Sequence, residues 1–246
     1  MRGKNAMAYI EKITIAGKVK EVYKYHSWRY QKKGIPRSEN RNVSPEAVKR
    51  VNERAAETKL RNLLNANFGY KDIHLVLTYK KENRPDREEA RIHLEKFIRA
   101  LRSRYKKLGA ELKYIAVTEY KNRAIHHHIV INSISAFELS ALMDIWPHGQ
   151  PHPTFLYKTG EYSQLASYLI KETSKTFNSE NSVYGKRWCQ SRNLKQPIIK
   201  KRIIHRKSWT DKPKDQKDWE LIGTVENGWH EVTGFEYQFY TMIRRE

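Results

Sequence analysis

The chain has 246 residues, and its 48 lysines and arginines outweigh 27 acidic residues to give a formal net charge of +21, an excess that argues against an enzyme of neutral small molecules and for a polyanionic partner, nucleic acid above all. No apolar run approaches ~20 residues and no signal-shaped stretch lies near the N-terminus, so a membrane partner is not expected and a cytoplasmic location is. The single cysteine, Cys189, excludes an internal disulfide and a multi-cysteine zinc site, while fifteen Tyr and six Trp among so many cations suit stacking on unpaired bases.

Two strands are expected first, at Tyr9–Ile13 and Val19–Tyr25, around the turn Ala16-Gly17-Lys18. Residues 26–43 read as a basic arm, in which Arg29, Lys32, Lys33, Arg37 and Arg41 could touch duplex or hairpin DNA. Ser44-Pro45-Glu46 starts a helix, with Ser as cap, Pro at the first helical position and Glu at the positive end. Val48, Val51, Ala55, Leu60, Leu63 and Leu64 continue it at helical spacing, and Asn67-Phe68-Gly69 ends it. Ile73–Tyr79 reads as a buried strand, Lys80–Arg87 as a charged loop, and Glu88–Leu108 as an amphipathic helix closed by Gly109. Strands follow at Leu112–Glu119 and Ile125–Asn132, then a short helix at Phe137–Ile145, a short strand at Phe155–Tyr157 and a third helical segment at Tyr162–Thr173. Beyond Thr176 the chain is basic, less periodic and interrupted by Pro197 and Pro213. This order predicts an α+β fold, a central antiparallel sheet with flanking helices. It divides the chain into an N-terminal hairpin and arm (1–43), a main domain (44–200) and a basic C-terminal extension (201–246) that can belong to the same domain.

The chemistry concentrates in Ile125-His126-His127-His128-Ile129-Val130-Ile131. In a strand, His126 and His128 project from one face and His127 from the other. Two imidazoles on one face suit a divalent metal but rarely suffice alone. If Asn122-Arg123 forms a two-residue hairpin turn, Glu119 falls directly opposite His126 and on the face of His128. Two histidines and one carboxylate, with positions left for water and phosphate oxygen, accept Mg²⁺ or Mn²⁺. Downstream, Tyr168 and Lys171 are i and i+3 on one helix face, and Lys175 continues it. A phenol near a cation and a metal-bound phosphate loses its proton more readily and attacks phosphorus. Tyr162 competes for that role, but six residues turn a helix through about 600°, so the two tyrosines face different ways. Lys200, Lys201, Arg202, Arg206 and Lys207, with Trp209, form a second basic set able to track a backbone and stack a base. No Gly-x-x-x-x-Gly-Lys-Ser/Thr phosphate loop is present, so a helicase motor is not expected in this chain.

With Glu119 upstream and Tyr168-x-x-Lys171 downstream, His126-His127-His128 resembles the motif set of the HUH endonucleases, and most closely the rolling-circle replication initiators of small plasmids and phages of Gram-positive bacteria, related to the gene 2 protein of filamentous phage. The likeness extends to Asn65-Ala66-Asn67-Phe68, to Leu75-Val76-Leu77-Thr78-Tyr79 and to Trp146-Pro147-His148-Gly149, over roughly residues 45–200. The resemblance implies an antiparallel sheet of HUH (RRM-like) type bearing a metal at His126, His128 and Glu119. It implies Tyr168 as the nucleophile that nicks single-stranded DNA at an origin or hairpin, forms a 5′-phosphotyrosine and releases a 3′ hydroxyl, with Lys171 orienting phosphate and a host helicase as partner. The family usually has a bulky apolar residue between the two ligand histidines; His127 stands there in this chain. Relaxases and single-tyrosine transposases share the chemistry. A non-cutting DNA-binding regulator and an RNA-binding protein with incidental histidines are the readings from another class.

Overall fold

The computed structural model describes residues 8–27, 44–121, 124–135, 139–177, 187–229 and 234–245. The arm cations Arg29, Lys32, Lys33, Arg37 and Arg41 lie outside the described residues. The strands are β1 (Tyr9–Ala16), β2 (Val19–His26), β3 (Ile73–Leu77), β4 (Tyr114–Lys121), β5 (Ala124–Ile131), β6 (Pro151–Phe155), β7 (Cys189–Gln190), β8 (Ile198–Ile204), β9 (Trp219–Trp229) and β10 (Glu236–Arg244). The helices are α1 (Pro45–Asn67), α2 (Arg87–Lys107), α3 (Ala141–Ile145) and α4 (Ser163–Phe177). They form an α+β fold with two five-stranded antiparallel sheets, in two compact units: residues 1–48 with 196–246, and residues 49–195. No helix among the described residues is long and apolar enough to cross a membrane.

The first unit holds the sheet β8-β1-β2-β10-β9. Gly17-Lys18 joins β1 to β2 with Ala16 paired to Val19, and Gly17 takes φ 59, the left-handed region a two-residue hairpin turn needs. The stretch beyond Thr176, weakly periodic in sequence, supplies three of the five strands. Ile198-Ile199-Lys200-Lys201-Arg202-Ile203-Ile204 has no alternation to read because β8 is an edge strand exposed along nearly its whole length. Its pairing with β1, and that of β10 with β2, joins the two ends of the chain in one sheet.

The second unit holds the sheet β6-β3-β5-β4-β7, with β5 central. The pleat sorts its side chains to two cores. Ile73, Leu75, Leu77, Ile129 and Ile131 pack against Leu94, Phe97, Ile98 and Leu101 of α2, with Leu142 and Trp146. On the other face Ile115, Val117 and Val130 pack against Leu60, Leu63 and Leu64 of α1 and Ala166, Leu169 and Ile170 of α4. Asp86 caps α2 by accepting the Glu89 N–H at 2.8 Å, and Gly109 follows the helix at φ 71. α1 packs only along its C-terminal half, since Val48 and Val51 are exposed. The strand expected at Phe155–Tyr157 lies instead at Pro151–Phe155, at the edge beside β3. Two prolines hide it in sequence, yet an edge strand tolerates them because half its N–H groups need no partner.

The turn Trp146-Pro147-His148-Gly149 clamps the end of β3. Trp146 Nε1 donates to the Thr78 carbonyl at 2.8 Å, the Lys80 N–H to the His148 carbonyl at 3.0 Å, and the Thr78 hydroxyl to the Gln150 carbonyl at 3.0 Å. Gly149 passes so close that a Cβ there would lie 2.2 Å from the Thr78 carbonyl oxygen, backbone against backbone. Gly149→Ala is therefore expected to destabilise the protein by about 1–3 kcal/mol, the usual cost of overpacking. That is ~2–4 °C in thermal midpoint per kcal/mol for a chain of this size. An unchanged melting curve would show that the clamp yields without cost.

Candidate active site

β4 and β5 pair with Lys121 opposite Ala124, the register expected from a two-residue turn, which places Glu119 directly opposite His126 and Val117 opposite His128. Those side chains share the face of Val117 and Val130, the one covered by α1 and α4. Glu119 Oε2 lies 3.1 Å from His128 Nε2 and 3.9 Å from His126 Nδ1. Glu119 and His128 are buried, whereas one third of the His126 side chain is exposed.

His127 points to the opposite face, fully buried. The Tyr79 hydroxyl lies 2.9 Å from its Nε2 and the Thr118 hydroxyl 2.9 Å from its Nδ1, so both ring nitrogens are engaged. The polar residue that stands between the two flanking histidines is thus a packed core side chain. Its neighbours Trp146 and Tyr79 approach it edge-on.

A further histidine joins from β3. His74 Nε2 is 3.3 Å from His128 Nδ1, and the two rings are nearly parallel with centroids 5.4 Å apart. Burial, with the charge of a protonated His128 secondary, lowers the His74 pKa to about 4. Burial, then His126, lowers that of His128 to about 4, against an opposing contribution from Glu172. Burial, then His128 and His93, takes His127 to about 3. All three are neutral at pH 7, the form in which imidazole ligates metal. Their folded values lie below the ordinary 6.5, so between pH 6.5 and about 4 the unfolded chain binds more protons than the folded one. Stability is present in full above pH 6.5 and falls as pH drops through that window, by up to about 1.4 kcal/mol per pH unit for each group titrating. Chelator-treated protein should show this as a falling thermal midpoint from pH 7 to pH 5; a flat profile would contradict the buried, neutral state of these rings.

α4 supplies the phenol. The ring of Tyr168 meets that of His128 edge-on, with centroids 5.4 Å apart, and the side chain is 43% exposed. Burial, then Glu119 and Glu172, raises its pKa above the ordinary tyrosine value. Lys171 is exposed on the same helix, but the electrostatic neighbours of Tyr168 are these carboxylates. Lys175 lies in α4, and its side chain is outside the described residues. Tyr162 is fully buried just before the helix; its hydroxyl donates to the Tyr157 carbonyl at 3.5 Å, and burial pushes its pKa up to about 12. Its N–H donates to Asn65 Oδ1 at 2.9 Å, tying the start of α4 to α1. Asn67 ties the same end of α1 to Lys195, through its Oδ1 at 2.7 Å and Nδ2 at 2.8 Å.

Among the described residues no three His, Cys, Asp or Glu side chains already surround a common point; Glu119 is hydrogen-bonded to His128 instead. The donor set nevertheless fits a small divalent ion. Adjacent ligands of an octahedral ion held at ~2.1 Å stand about 3 Å apart, which matches the 3.1 Å between Glu119 and His128. His126, at 3.9 Å, is exposed enough to turn inward. Neutral imidazole with carboxylate suits Mg²⁺ or Mn²⁺ without selecting either.

The second basic set lies in the other unit. Lys200 and Arg202 alternate with Lys201 across the two faces of β8. Arg202 pairs with Glu11, Arg206 and Lys207 are exposed, and Trp209 stacks on His26 at 5.2 Å and meets Tyr9 edge-on. These cations form no single stripe along the strand, and one face of the Trp209 ring is already occupied by His26.

His74 and Glu172 escape a reading of the sequence. Glu172, at i+4 from Tyr168, was within reach of helix spacing; His74 required the pairing of β3 with β5, a contact between distant segments.

Residues 72–177 match the family model for the replication-associated proteins of the ORF2 and phage gene 2 protein type. The match covers under half of the chain but takes in His74, Glu119, His126, His128, Tyr168 and Glu172. No curated protein and no solved structure matches the chain.

Proposed function

We propose, from the replication-associated match over residues 72–177 as premise, that this protein nicks and rejoins single-stranded DNA through a 5′-phosphotyrosine and so starts rolling-circle replication of a plasmid or phage. One observation carries the reading: Glu119, His126 and His128 share one face of β4 and β5, with Glu119 3.1 Å from His128 and 3.9 Å from His126, and the Tyr168 ring of α4 lies against His128. His126, His128 and Glu119 would hold Mg²⁺ or Mn²⁺. Such an ion, when bound, polarises the scissile phosphate and offsets negative charge near the phenol. The chain's own groups do the rest. Tyr168 gives up its phenol proton to water, its oxygen forms the new bond to phosphorus, the bond to the 3′ oxygen breaks, and that oxygen takes a proton from water and leaves as a hydroxyl. Burial, together with the carboxylates of Glu119 and Glu172, holds the phenol protonated in the ion-free site, so the arrival of positive charge would favour its ionisation. Lys171 would contact a phosphate oxygen from the exposed side of α4.

The test is incubation of the protein with a panel of single-stranded origin oligonucleotides and Mn²⁺, followed by a denaturing gel. A protein–DNA adduct that survives denaturation, with a free 3′ hydroxyl on the released fragment, is expected. Binding without cleavage across the panel, with the cognate origin included, would favour a non-cutting regulator. Cleavage without an adduct would indicate a water-using nuclease.

A further inference from the structure

We infer that His74 is a positioning residue, which accepts the Nδ1 proton of His128 and so supports the tautomer whose Nε2 can hold an ion beside Glu119; the inference rests on the metal site proposed above. His128 has two ring nitrogens with different neighbours. Nε2 faces Glu119 at 3.1 Å, and Nδ1 faces His74 Nε2 at 3.3 Å. The ring planes differ by only 20° at a centroid separation of 5.4 Å. That separation is close to the nitrogen–nitrogen distance plus one ring radius at each end, so the imidazoles meet edge to edge in nearly one plane. This is the geometry of an N–H···N hydrogen bond, not of face stacking.

Such a bond needs one proton between two nitrogens. If His128 carries it on Nδ1, His74 accepts with a bare Nε2, and His128 Nε2 is left with its lone pair toward Glu119. A carboxylate and a lone pair then face the same point and repel unless a cation lies between them. The reverse arrangement, with the proton on His128 Nε2, would donate to Glu119 and leave no lone pair for an ion. Without an ion that reverse form satisfies Glu119, and His74 can donate to Nδ1; with an ion at Nε2 the proton moves to Nδ1 and His74 Nε2 accepts it, the role that a carboxylate, backbone carbonyl or water usually plays behind a metal-bound histidine. Its placement follows from the pleat. Val76 of β3 lies directly opposite His128, and His74, two residues away, projects from the same face. The β3 backbone pairs on both sides, with β5 and β6, so the ring is mounted on a strand inside the sheet. Because the Tyr168 ring also rests on His128, the bond fixes the surface against which the nucleophile packs.

The experiment uses the full chain, labelled with ¹⁵N-histidine, at neutral pH and at the Mg²⁺ concentration that just saturates the wild type. Wild-type His128 is expected to show a protonated Nδ1 and an unprotonated Nε2. Wild-type His128 protonated on Nε2 would overturn the inference whatever any variant does. His74→Leu should mix or invert the tautomers and weaken Mn²⁺ binding ~10–100-fold, the usual effect of losing such a partner. His74→Gln, whose carbonyl oxygen can accept the same proton, should recover most of both. Tautomer and affinity unchanged in His74→Leu would overturn the role of His74. His126→Ala separates this from the parent reading: if that variant binds Mn²⁺ as tightly as wild type, the metal site itself is misplaced, whereas loss of binding there with wild-type affinity in His74→Leu removes only the positioning role.

Discussion

Tyr168→Phe is expected to eliminate the covalent protein–DNA adduct and to lower nicking by on the order of 10⁴-fold or more, the scale on which loss of a covalent nucleophile acts. The substitution removes one oxygen and leaves the ring that packs against His128. The side chain is 43% exposed, so stability should move by no more than ~0.5 kcal/mol and binding of the single strand should persist. Tyr162→Phe is the matched control. Its hydroxyl makes one long bond to the Tyr157 carbonyl inside the core. Loss of that bond should cost about 1 kcal/mol of stability at most, with nicking retained. Band-shift, denaturing gel and thermal melt on the three proteins separate the outcomes. An adduct formed by Tyr168→Phe would mean that a different tyrosine reacts and that the edge-on contact with His128 has no chemical meaning.

The second large effect is expected at the proposed ligands. His126→Ala should abolish Mn²⁺-dependent nicking, by ~10²-fold at least, since a polarising ion is worth several kcal/mol of transition-state stabilisation. It should also remove measurable Mn²⁺ binding in a calorimeter. His126 is the cleanest of the three to replace because a third of it is solvent-exposed, whereas Glu119 and His128 are buried and hydrogen-bonded to each other. Glu119→Gln should give the same loss of nicking with some change in stability. A chelator should silence the wild type, and added Mn²⁺ should restore it. Full nicking by His126→Ala in the presence of chelator would remove the ion from the chemistry.

The parts of the fold legible in sequence are those set by neighbours along the chain. Gly109 closes α2 at a left-handed φ. The two-residue spacing between Lys121 and Ala124 fixes the register of β4 with β5, which is why Glu119 could be placed opposite His126 without knowledge of the rest of the sheet. What stayed hidden depends on segments far apart. β6 is disguised by Pro151 and Pro153, and β8 by exposure on both faces. The stretch after Thr176 owes its strands to pairing with β1 and β2, far back in the chain. The site divides in the same way. Glu119, His126 and His128 come from one hairpin and Tyr168 from helix spacing, while His74 enters through β3–β5 pairing and the inertness of His127 depends on Tyr79 and Thr118.

The hydrogen bond from the Tyr162 N–H to Asn65 pins the residue just before α4 to the end of α1. Tyr168 lies six residues further on, ~9 Å along the axis at 1.5 Å per residue. The helix is therefore a short lever with its pivot buried in the core and its working end at the surface. On an arm of that length a tilt of about 6° carries the phenol through about 1 Å, the distance over which alignment for attack is gained or lost. The stiffness of that mounting, shared by the Asn65 amide and the buried Ala166, Leu169 and Ile170 of the same helix, is in this sense the tolerance of the nucleophile's aim.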